Sequence, residues 1–113
     1  MATIESVFQG REPAALATYR ALLDRMTELG PFEEQAKNTS IHLARKSAFV
    51  GVHPRKAAIL LVIRTGAPIA SPRVRKLERV SANRWHNEML LSDPGEVDPE
   101  LLGWLGEAYA LSA

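Results

Sequence analysis

An α+β fold is what this sequence predicts: a mostly antiparallel sheet of about five strands, packed with an N-terminal and a C-terminal helix. Three observations carry that reading. Apolar residues recur at helical steps near both ends of the chain. Between them, short apolar runs are separated by turn residues. The connections in the middle are too short for parallel crossovers, so neighbouring strands must run antiparallel. The 113 residues suit a single domain, 1–113, with one core.

Ile4, Val7 and Phe8 have helical spacing in a short opening stretch that Gly10 ends. The first long helix is expected over about 12–29. Pro13 suits its first turn, and Leu16, Tyr19, Leu22, Leu23, Met26 and Leu29 form one apolar stripe. Gly30-Pro31 stops it. Phe32 to Ala36 is acidic and reads as loop or a brief turn. Strands follow at Thr39–Arg45, Ala48–His53 and Ala57–Arg64, joined by Arg45-Lys46-Ser47 and by a turn at His53-Pro54-Arg55-Lys56. The unbroken apolar run of the third predicts a central strand covered on both faces. Gly66 to Pro72 is a loop. In Arg73–Val80, Val74, Leu77 and Val80 fit a helical face, but the density of lysine and arginine suits a charged edge strand, which is the reading adopted. It turns at Ser81-Ala82-Asn83 into a partner at Trp85–Leu91, where Trp85, Asn87, Met89 and Leu91 share a face. Asp98 and Pro99 start the last helix, whose stripe is Leu101, Leu102, Leu105, Ala108 and Tyr109. Trp104 falls off that stripe, so it packs on the N-terminal helix or, if exposed, marks a dimer contact.

The absence of cysteine excludes a disulfide framework, zinc–thiolate sites and thiol catalysis. The longest strictly apolar run, Ala57 to Ile63, falls far short of the roughly 20 residues a membrane span needs. The start of the chain lacks a signal-peptide pattern. The expectation is a soluble, cytoplasmic protein with no membrane partner. The formal charge of +1 hides a strong segregation. Residues 1–36 sum to −3, residues 37–86 to +10 and residues 87–113 to −6. A basic surface that meets an anionic partner, or acidic ends folded back onto the middle, would each produce this pattern.

Several stretches carry a resemblance: Lys37-Asn38-Thr39-Ser40-Ile41, then Phe49-Val50-Gly51-Val52-His53-Pro54-Arg55-Lys56, then Asn83-Arg84-Trp85-His86, then Asp98, Leu102, Trp104 and Ala108-Tyr109. Their order and spacing resemble the bacterial family catalogued as domain of unknown function 5655, from about Phe8 to Leu111. The resemblance implies a small bacterial α/β domain, found alone or at the C-terminus of larger proteins. Some of those proteins have nuclease-like regions, and many bear a "transport protein" label. It assigns no catalytic residues.

The ligand-binding candidates are Lys37, Arg45, Lys46, His53, Arg55, Lys56, Arg84, Trp85 and His86. Arginine and lysine would grip phosphates, and Trp85 would stack on a base. The ordinary alternative is solubilising charge at turns and edges. His42, His53 and His86 match no metal motif in their spacing, so no metal and no cofactor is expected; hydrogen-bonded histidines at strand ends are the simpler explanation. Ser40, Ser47, Ser81 and Thr39 lack a nucleophile-elbow context. Glu78 is the only carboxylate in the basic middle, and Glu88 beside His86 reads more simply as a strand-edge side chain. The leading expectation is a non-catalytic binding module for an anionic ligand, nucleic acid or a nucleotide first. The second is a structural or protein-interaction domain acting as a homodimer. The third is a small enzyme using His53 or His86, which requires those imidazoles to approach within about 4–6 Å.

Overall fold

The computed structural model describes residues 3–112. Three helices and six strands follow one another: α1 (Ile4–Val7), α2 (Pro13–Met26), β1 (Glu33–Ala36), β2 (Ile41–Ala44), β3 (Ala48–Pro54), β4 (Ile59–Thr65), β5 (Lys76–Ser81), β6 (Arg84–Leu91) and α3 (Pro99–Leu111). The strands form one sheet in the order β1-β2-β3-β4-β6-β5, antiparallel throughout. The α+β class holds, with six strands rather than about five.

The extra strand is β1, where the sequence suggested loop or turn. Its pattern Glu33-Glu34-Gln35-Ala36 has no apolar alternation because it is a short edge strand with exposed carboxylates, the composition that protects an edge. Tyr19 of α2 anchors it, donating its hydroxyl to Glu34 Oε1 at 2.7 Å.

Alternation along the strands builds the core. Ile41, Leu43, Val50, Val52, Ile59, Leu61, Ile63, Met89 and Leu91 join the buried stripes of α2 and α3 in one cluster. A bulge where Leu43 faces Val50 but Ala44 faces Ala48 leaves Phe49 as the extra residue. Phe49 is buried too, edge-on to Tyr109 of α3 at 5.4 Å. The other sheet face carries no helix of this cluster, so β4 is central but not covered on both faces. Ile59, Leu61 and Ile63 face the helices, while Val62 stays half-buried on the open side. The apolar run misled because Leu60 is buried there as well, opposite His53 and Leu90.

The second hairpin turn also shifts. The strand continues through Pro54, and the turn is Arg55–Ala58, closed by Arg55 N–H donating to the Ala58 carbonyl at 2.8 Å. Pro54 is tolerated because β2 starts at Ile41, opposite Val52, so no neighbour needs the missing N–H on that side. Asp98 caps α3 by accepting from Leu101 N–H at 2.9 Å, with Pro99 in the first turn. The sequence placed both residues there.

Candidate functional site

The period of two that buries one face exposes its complement on the other. Across the open face the rows read His53, Leu60, Leu90; then His42, Gly51, Val62, Glu88, Lys76; then Arg64, His86, Glu78. All three histidines therefore share one face. His42 and His53 are diagonal neighbours on β2 and β3. His53 and His86 are not close. They stand four residues apart along β4 and two strands apart across it, about 13 Å by about 9.5 Å in ordinary strand geometry. That backbone spacing is wider than the approach of about 4–6 Å over which two imidazoles couple.

Successive hairpin turns of an antiparallel sheet fall at alternate ends. This divides the candidate residues. Arg45 and Lys46, in the β2–β3 turn, lie at the end where Arg64 and Thr65 face His86 and Trp85, next to Arg84. Lys37, Arg55 and Lys56, in the β1–β2 and β3–β4 turns, lie at the opposite end, with His53. His53-Pro54-Arg55-Lys56 and Arg84-Trp85-His86, both candidates for ligand binding in the sequence, therefore lie at opposite ends of the sheet. Trp85 is separated too. It points to the opposite face from Arg84 and His86, half-buried, with the Arg79 guanidinium 5.8 Å from its ring.

At the Arg45 end, a notch of about 210 Å³ opens between the strand ends and the C-terminus of α3. Its lining includes Arg64, Arg84 and His86, and among the described residues no carboxylate lines it. Arg64 comes from β4, and Arg84 and His86 from β6, all on the open face. Arg64 donates from Nη1 to the Ala48 carbonyl at 3.0 Å. Its Nε is buried and has no hydrogen-bond partner among the described residues. Arg84 is exposed and donates to the neighbouring Asn83 carbonyl. Burial and then Arg64 hold the His86 imidazole below its ordinary pKa, against the opposing pull of Glu78 and Glu88. The Glu78 carboxylate stands 3.8 Å from His86 Nδ1, outside hydrogen-bond range. His42 is likewise lowered, by burial and then by Arg64 and Lys37, and His53 by burial and then Arg55. Arg64 belonged to the basic set of the sequence but not to the candidate site. Its signal is a lone charge closing the apolar run Ala57–Ile63.

Ion pairs reach two of the eleven basic residues in 37–86 among the described residues. Arg73 pairs with Asp98 at 3.0 Å and Glu100 at 3.1 Å, and Lys76 with Glu88 at 3.8 Å. Arg45 lies over the Tyr109 ring at 4.1 Å and donates to the Tyr109 carbonyl at the end of α3, where the helix dipole favours a cation. Trp104 packs beneath the Arg73 guanidinium, 5.7 Å away. Among the described residues, no group of three or more His, Cys, Asp or Glu gathers to hold a metal ion. No helix among them is long and apolar enough to cross a membrane.

A family model described as Domain of unknown function (DUF5655) matches residues 4–112, essentially the whole chain. No curated protein and no solved structure matches it.

Proposed function

We propose that this chain, which belongs to the family described as Domain of unknown function (DUF5655), is a non-catalytic module for an anionic ligand, with nucleic acid or a nucleotide favoured. One observation carries the reading. Arg64 and Arg84 share the notch with His86, and among the described residues no carboxylate lines it and the acidic side chains Asp98 and Glu100 pair with Arg73 rather than with them. Arg45 and Lys46 immediately precede Ser47 of its lining, in the β2–β3 turn. Fluorescence anisotropy with labelled single-stranded and duplex oligonucleotides tests it over a salt series. Binding should weaken as salt rises, with a log–log slope of about −0.7 to −0.9 per phosphate contacted. Replacing Arg45, Lys46 and Arg84 with glutamine should weaken it at least tenfold. Absence of binding to every nucleic acid at low salt would sink the reading.

A second reading, a homodimer, is favoured by a different observation. The edge strand β5 leaves Leu77 44% and Val80 53% exposed. Light scattering across a concentration series separates the two. A stable dimer lost on Leu77→Glu or Val80→Glu supports association through that edge.

A further inference from the structure

Resting on the anion-binding reading, we propose that the notch between the strand ends and α3, whose C-terminal carbonyls at Tyr109 and Ser112 are already covered by the Arg45 guanidinium and the Lys46 amide, receives a terminal phosphate, the phosphomonoester at a nucleic-acid strand end or on a free nucleotide, rather than the diester backbone.

Size is the first argument. A volume of about 210 Å³ is below the roughly 300–1,000 Å³ of pockets that engulf drug-sized ligands. It accommodates a phosphoryl group and part of the attached sugar, while a base remains outside. Charge and valence are the second. A diester carries one negative charge and two unesterified oxygens. A monoester carries nearly two charges and three free oxygens. Arg64, Arg84 and His86 supply three separate donor groups from adjacent strands. The third argument is the state of Arg64. Of the five donors on its guanidinium, the described residues engage one, from Nη1 to the Ala48 carbonyl; Nε is buried out of a ligand's reach, and the remaining Nη donors have no partner among the described residues. An arginine held in place with unused donors is prepared for bidentate recognition of a phosphate. Ser47, exposed at the rim, adds a hydroxyl.

The test uses one oligonucleotide in two forms, with a 5′-phosphate and with a 5′-hydroxyl, titrated against the whole chain at fixed low salt. The phosphorylated form should bind at least tenfold tighter. Arg64→Met should abolish that difference, and so should Arg84→Gln, an exposed position where folding is not at stake. Adenosine monophosphate is then added as competitor. Displacement at concentrations near the oligonucleotide's own affinity assigns the site to free nucleotides; failure to displace assigns it to strand ends. Both outcomes keep the phosphomonoester. Equal affinity for the two oligonucleotides overturns this inference while leaving the broader anion-binding reading standing. No binding of either form overturns both.

Discussion

The amide of Asn87 is fully buried on the helix-facing side of β6. Its Oδ1 accepts from Ile69 N–H at 2.9 Å, and its Nδ2 donates to the Ile63 carbonyl and to Thr65 Oγ1. Thr65 in turn donates to the Ala67 carbonyl. One side chain thus fastens the loop after β4 to the sheet, and every polar atom it brings inside is satisfied. Asn87→Leu would strand the Ile69 amide and take a donor away from both the Ile63 carbonyl and the Thr65 hydroxyl, so chemical denaturation should show a loss of about 2–4 kcal/mol. Arg64 presents the opposite case. Arg64→Met gives up the Nη1 bond to the Ala48 carbonyl but also relieves the buried Nε that has no partner among the described residues, so the two offset and the variant should unfold within about 1 kcal/mol of the parent. A much larger loss would show that Arg64 is there for stability rather than for a ligand. Alternation in the sequence puts Asn87 on the core face beside Trp85, Met89 and Leu91. It could not supply the partners, because Ile69 lies in a loop without periodicity.

Arg73 works between elements. Its Nη1 reaches both Asp98 oxygens and Glu100, and its Nη2 reaches the Glu96 carbonyl at 2.8 Å. The approach to β5 is thereby clamped to the start of α3. Asp98 holds two jobs, helix cap and ion partner. The Leu101 amide, followed by Arg73, keeps its carboxyl below the usual range. Asp98→Ala should cost about 1–2 kcal/mol as a lost cap, and Asp98→Asn distinctly less, since asparagine caps without the charge. Thermal melts of the two variants would separate these contributions; equal losses would make the charge dominant. The cap was legible because Asp98-Pro99 precedes an apolar stripe. The clamp was not, since nothing local links residues 25 apart. Likewise β2, β3, β4 and β6 follow from strong apolar patterns, while β1 escaped because an acidic edge strand and an acidic loop have the same composition.

At the scale of the molecule, segregation of charge along the chain could be read directly, but its arrangement in space could not. Arg55 and Lys56 are near Arg45 in sequence, yet an intervening strand carries them to the other end of the sheet. The open face has a collective property of its own. His42, His53 and His86 all have depressed pKa values, with burial the largest cause in each. The folded chain therefore binds fewer protons than the unfolded one just below the ordinary histidine pKa of about 6.5, and unfolding takes protons up. Stability should be full above that pH and decline as the pH falls below it. Melting temperatures measured from pH 8 to 5 should fall at the acid end, and less so in Arg64→Met, where His42 and His86 lose a cationic neighbour. A flat profile would contradict this assignment. The strand order has a kinetic consequence of another kind. From β1 to β4 each strand pairs with the next along the chain, but β4 then pairs with β6, leaving β5 outside. The β5–β6 hairpin is therefore a unit that must form and dock, closing the loop from Gly66 to Asn83, before the core seals against Met89 and Leu91. Hydrogen exchange should record this as two tiers of protection: amides of β3 and β4 opening only with the whole molecule, and those on the outer side of β5 exchanging ahead of them.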